Sequence, residues 1–144
     1  MNPANSAISQ RNTSIFIFRF TSAKYRESDL IHITANGDQV RSKSEVIIAN
    51  ELKSHGLSYE YEKVLHSTDG SSFKIPDFTV YYEGEEFYWE HLGLTDDAEY
   101  MAKWEEKKKW YEQNSFSDRL IVSKEDARGL DSRVIVELIK SKFK

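Results

Sequence analysis

The sequence predicts an α/β fold, a mixed central sheet flanked by helices. Three observations point there. From Ser42 onward the apolar residues change period in the order helix, three strands, helix, strand, helix. A meander followed by a helical crossover implies a sheet with helices on its faces. A chain of 144 residues is also long enough for a single domain with a sizeable core.

The elements follow in order. The opening MNPANSAISQRNTS has no apolar signal core, so residues 1–13 are expected to be a disordered lead-in and 14–144 a single domain. IFIFRF over 15–20 is β-branched and aromatic, as strands are, and LIHIT over 30–34 suggests another. ANGDQ over 35–39 carries an Asn-Gly turn signal. A helix is expected from Ser42 to Ser54, stopped by Gly56. LSYEYEKVLH over 57–66 alternates like a strand, and the loop STDGSS leads into FKIPDFTVYY and EEFYWEHL. A second helix should run from Asp97 to Gln113, opened by TDD. RLIVS over 119–123 is a short apolar strand. A last helix over Asp131–Phe143 is expected to cover the sheet with Val134, Leu138 and its lysine stems.

Composition removes several chemistries. The chain has no cysteine, which excludes disulfides, thiolate zinc sites and cysteine nucleophiles, and fits a reducing, cytoplasmic setting. No apolar run approaches the ~20 residues of a membrane span. His32, His55, His66 and His91 lack zinc-ligand spacing, and no phosphate-cradling glycine loop occurs. A net charge of −4 argues against general nucleic-acid binding, so a DNA or RNA partner would need a local basic patch, metal ions or a second protein.

The informative stretch is PDFTVYYEGEEFYWEHLG, residues 76–93. Pro76 lacks an N–H and suits a strand start. A two-residue Glu83-Gly84 turn would oppose Tyr82 to Glu85 and, counting back, Asp77 to Glu90. Phe78, Val80, Phe87 and Trp89 then share the core face, and Asp77, Thr79, Tyr88 and Glu90 the other. Directly opposed carboxylates repel. A divalent cation between them removes the penalty, and Mg2+ favours one or two carboxylates plus substrate phosphates. The alternative is a solvated strand end.

A third acid, Glu45, heads the apolar stripe of Ile48, Ala49 and Leu52 at ~100° per residue. It points towards the hairpin acids, as a ligand for metal or for a metal-bound water, or it closes a capping box with Ser42. On the second helix, Lys107 falls within the stripe of Tyr100, Trp104 and Tyr111, while Lys108 and Lys109 point away. Its ammonium either holds a phosphate and stabilises charge in phosphodiester attack, or snorkels to pair with an acid such as Glu90.

Glu45 on a helix, Pro76-Asp77, and Glu90 closing the next strand resemble the PD-(D/E)xK nuclease superfamily. The helix–strand–strand–strand–helix–strand order over 42–123 resembles its restriction-endonuclease-like core, roughly two-thirds of the chain. The phrases SKSEVIIANEL, YEYEKVL, PDFTV, YWEHLG and W..KKKWY resemble nuclease domains that occur alone or attached to superfamily 1 helicases. That resemblance implies hydrolysis of DNA, with RNA not excluded, by a water activated by Mg2+ or Mn2+. Asp77 and Glu90 would be metal ligands and Glu45 an accessory ligand or water-orienting acid. The family's lysine two residues after the second acid is replaced by Leu92. Either the lysine has migrated, with Lys107 best aligned, or catalysis is impaired and the chain is a non-catalytic nucleic-acid-binding or assembly module. His91 alternates away from Glu90, as a structural residue with a carbonyl near the metal, and Glu62 is a further acid on an alternating, exposed strand position. Expected partners are DNA and a helicase or other protein, with no membrane. A homodimer follows only by analogy, because duplex cleavage needs two cuts.

Overall fold

The computed structural model describes residues 30–144. The expected lead-in and the strand over 15–20 lie outside the described residues. Two short strands come first, β1 (His32–Ile33) and β2 (Gln39–Val40), antiparallel around a turn in which Gly37 takes φ of 89°. Then come α1 (Lys43–Ser54), β3 (Ser58–Tyr61), β4 (Leu65–His66), β5 (Phe73–Lys74), β6 (Phe78–Tyr82) and β7 (Glu85–Leu92). The chain closes with α2 (Ala98–Gln113), β8 (Leu120–Lys124) and α3 (Ser132–Lys142). Each helix starts at a residue foreseen as a cap or opener: Ser42, Asp97 and Asp131 all accept a backbone N–H from the first turn. Among the described residues, no helix is long and apolar enough to cross a membrane.

The central sheet has the order β3-β6-β7-β8. β3, β6 and β7 form an antiparallel meander, and β8 returns through α2 to lie parallel to β7. The fold is therefore mixed α/β, as expected. One face carries Phe78, Val80, Trp89 and Ile121 against Ile48, Ala49 and Leu52 of α1 and Ile135 and Ile139 of α3. Burying a side chain of that size contributes about 1.5–3 kcal/mol.

Several expectations need correction. The face of the hairpin that bears Thr79, Tyr88 and Glu90 is covered, as the aromatic stripe of the second helix implied, and the alternative of a solvated strand end fails for Glu90. That face is closed by Trp104, Trp110 and Tyr111 of α2, and those three strand residues are buried. Trp110 lies outside the expected stripe of α2. Its indole donates to Ser72 Oγ at 2.8 Å, so the β4–β5 loop gives that helix a second contact surface. On α3 the core residues are Ile135 and Ile139, one turn apart. Leu138 is only partly packed and Val134 is 44% exposed.

The strand expected over 57–66 is broken. Glu62 N–H still donates to Asp77 O at 3.1 Å, the last bond in the register of β3 with β6, but its φ of 54° turns the chain away there. Beyond it β4 pairs with β5, separate from the central sheet. Alternation carries no signal for a single residue in the left-handed region. The Glu62 side chain is also not exposed as expected: Arg41 binds it through Nε at 2.7 Å and through a second guanidinium nitrogen at 3.1 Å. That ion pair anchors the carboxylate across the break.

Candidate active site

The geometry begins with a turn. Glu83 and Gly84 take φ of 51° and 80°, the two positive values a tight two-residue hairpin turn needs. Tyr82 opposes Glu85 and Phe78 opposes Trp89, so the register brings Asp77 opposite Glu90 at the open end of the hairpin. Pro76, fully buried, leads into this end.

Each acid is held on one oxygen. Asp77 Oδ2 accepts the backbone N–H of His91 at 2.7 Å. Glu90, only 4% exposed, receives two donors on Oε2: the hydroxyl of Tyr111 at 2.6 Å and the ammonium of Lys107 at 2.8 Å. Lys107 also donates to Ile75 O at 2.9 Å, which fixes it beside the entry to β6. The helical stripe thus delivers its lysine to the sheet, and the partner is one of the acids foreseen. Among the described residues, no hydrogen bond reaches Asp77 Oδ1 or Glu90 Oε1.

The electrostatics follow from this crowding. Burial foremost, then the Glu90 charge, pushes the Asp77 carboxyl well above its usual range. The Lys107 ammonium opposes that shift and Glu45 adds to it. Burial also raises Glu90, against the lowering effect of Lys107 and Tyr111. Tyr111 is driven far up by burial and by the Glu90 charge, so it remains a neutral donor. Two carboxylates facing one ammonium leave uncompensated negative charge, and each acid keeps one oxygen without a donor. Hard oxygen ligands in that state suit Mg2+ or Mn2+.

Glu45 stands apart from that pair. It is buried with Ile48, Ala49 and Leu52, as its stripe requires. Its N–H donates to Ser42 Oγ at 3.2 Å, half of the capping box. Its carboxylate reaches past the cap, accepting from Arg41 N at 3.0 Å and Tyr61 OH at 2.9 Å on the same oxygen. Burial raises its pKa over the lowering effect of these bonds. Glu45 is felt electrostatically at Asp77. Yet among the described residues no three His, Asp or Glu side chains are grouped to hold one metal ion.

Leu92, where a lysine was looked for, is buried. His91 is tied down on the opposite side from Glu90. Its ring meets Ser123 Oγ through Nδ1 and Glu125 Oε1 through Nε2, each at 2.8 Å. Ser123 also accepts the indole N–H of Trp89 at 2.9 Å, and Ser44 donates to Glu125 Oε1 at 2.5 Å. This chain of contacts links the start of α1 to the ends of β7 and β8. Through its own N–H, His91 holds Asp77. The sequence reading had no means of assembling Ser44, Ser123 and Glu125, which lie far apart in the chain. The aromatic stripe alone gives Tyr111 no polar role. The available signal was a tyrosine, rather than a phenylalanine, at a buried position four residues beyond Lys107.

A groove of about 760 Å³ lies beside the site, between α2 and the end of β8. Leu92, Met101, Trp104 and Val122 line it, but Lys108 and Lys124 alternate there with Glu105, Glu125 and Asp126, so it presents no net basic surface.

No family model matches the chain, and no solved structure matches it. A segment of 85 residues, 58% of this chain, is 36% identical to the uncharacterized protein MJ1519 of Methanocaldococcus jannaschii. The match spans 7% of that much longer protein.

Proposed function

We propose that the chain is a metal-dependent nuclease with a restriction-endonuclease-like core, hydrolysing phosphodiester bonds of DNA. The observation that carries this reading is the meeting of Asp77, Glu90 and Lys107 at one strand end, with the lysine nitrogen 2.8 Å from Glu90. Asp77 Oδ1 and Glu90 Oε1 would hold Mg2+ or Mn2+. When bound there, the ion supplies Lewis-acid polarisation of the phosphate and lowers the pKa of water. Lys107 uses two of its three N–H groups on Ile75 O and Glu90, leaving one to steady a phosphate oxygen. Tyr111 and the His91 N–H fix the two carboxylates in place. Glu45 acts as an accessory acid that raises the negative potential at Asp77.

The groove between α2 and the end of β8 has mixed charge, so among the described residues affinity for nucleic acid would come from the metal and from a partner. A helicase or other protein fits that need, and the short match within a long relative is compatible with a module carried by a larger protein.

A second reading is a nucleic-acid-binding or assembly module with no cleavage activity. It is favoured by the buried Leu92 and by Lys107 being already paired with Glu90. A cleavage assay with Mn2+ or Mg2+ on single- and double-stranded DNA and on RNA separates the two. The nuclease reading expects metal-dependent cutting that Asp77→Ala and Glu90→Ala both abolish. Binding with no cutting under any metal would sink it in favour of the second.

A further inference from the structure

We infer that Tyr111 is a positioning residue that sets which ion the site accepts, favouring Mg2+ or Mn2+ over Ca2+. The inference rests on the metal-site reading above and adds a role for a residue that touches neither metal nor substrate.

A carboxylate oxygen has two lone-pair directions. On Glu90 Oε2 both are taken, one by the Tyr111 hydroxyl at 2.6 Å and one by the Lys107 ammonium at 2.8 Å. Only Oε1 is left to an incoming ion, so Glu90 is confined to a single-oxygen contact. Mg2+ is satisfied by single oxygens at about 2.0–2.1 Å and fills its octahedron with water. Ca2+ takes about 6–8 oxygens at longer range and commonly grips a carboxylate by both oxygens. To do so here it would have to displace the tyrosine or the lysine, and Lys107 is also held by Ile75 O. Tyr111 is fully buried and stacks on Tyr88 with ring centroids 6.1 Å apart, so it is not free to swing away. Its contacts to Trp110 and Tyr88 are made by the ring, so removing the oxygen alone leaves the packing intact.

The test is a competition titration of the full chain without nucleic acid. Free Mn2+ is followed by electron paramagnetic resonance as Ca2+ is added, for wild type, Tyr111→Phe and Asp77→Ala. Wild type should bind Mn2+ and yield it poorly to Ca2+, and Asp77→Ala should lose Mn2+. Tyr111→Phe should retain Mn2+, with Ca2+ gaining about ten- to a hundredfold relative to it, the equivalent of one hydrogen bond to a charged group. Lys107→Gln, which weakens the other occupant of Oε2, should shift the ratio the same way and serves if the phenylalanine variant misfolds. Retained Mn2+ binding with an unchanged Ca2+ ratio in both variants overturns the role of Tyr111 and leaves the metal site standing. Failure of wild type to bind Mn2+ at all overturns the metal-site reading and this inference together.

Discussion

At Asp77 three effects act on one carboxyl group. Burial and the Glu90 charge favour the protonated form, Lys107 favours the ionised form, and the first two prevail. Glu90 is shifted in the same direction, chiefly by burial. The linkage has a definite sign. A carboxyl whose folded pKa exceeds its unfolded value holds its proton better in the native state. Its contribution to stability is present at low pH and is lost as pH rises from the ordinary values of 3.8 and 4.5 through the raised ones. The metal-free protein should therefore lose stability as pH climbs out of the acid range towards neutrality. Asp77→Asn keeps an acceptor for the His91 N–H and removes the repulsion. It should flatten this slope and stabilise the metal-free protein at neutral pH by about 1 kcal/mol, though it would harm metal binding. Urea unfolding across the range measures both; a destabilised Asn variant at neutral pH would mean that Asp77 is adequately compensated as it stands.

At the scale of elements, the hairpin of β6 and β7 sets everything that follows. Its turn needs two residues at positive φ, and Glu83 fills the first position at 51° without the tolerance of asparagine for that region. Glu83→Asn should stabilise the protein by about 0.5 kcal/mol while leaving the pairing of Asp77 with Glu90 unchanged. Thermal unfolding reads the first effect; a lower melting temperature would mean that the glutamate makes a compensating contact. This turn also explains how much of the site could be read from the sequence. Two residues between alternating strands fix a register, and a register fixes which acids meet. A helical wheel placed Lys107 over the sheet for an equally local reason. The break at Glu62 escaped because alternation continues through it, while the interaction that holds it comes from Arg41, 21 positions earlier. Tyr111 and the Ser44–Glu125–His91–Ser123 contacts escaped because polar atoms in a packed interior are matched across elements, and spacing within one element says nothing of such matches. The core holds Ile135 rather than Val134, because an isolated helix shows its apolar stripe but not which edge of the stripe the neighbouring α1 covers.

Over the whole molecule, among the described residues, the central sheet is covered on both faces, and the end of the β6–β7 hairpin sets buried Glu90 beside the partly exposed Asp77. Folding brings Asp77 and Glu90 together in a way the unfolded chain does not, so any ion that bridges them is linked to global stability. An ion at one hundred times its dissociation constant adds about 2.7 kcal/mol. Protons and metal compete for the same oxygens, which makes the two pH trends opposite in sign. Without metal, stability falls as pH rises, because the native carboxyls give up protons into mutual repulsion. With saturating Mn2+, the ionised pair is the binding form, so the ion's contribution grows with pH and offsets that fall. The gap between melting temperatures with and without Mn2+ should thus widen from pH 5 to pH 8, and it should close at every pH in Glu90→Gln. Unfolding followed by circular dichroism in paired buffers measures the gap. A gap that stays constant with pH, or that survives in Glu90→Gln, would show that Mn2+ acts elsewhere on the protein, and the pairing of Asp77 with Glu90 would then be a strained feature of the fold with no ion to relieve it.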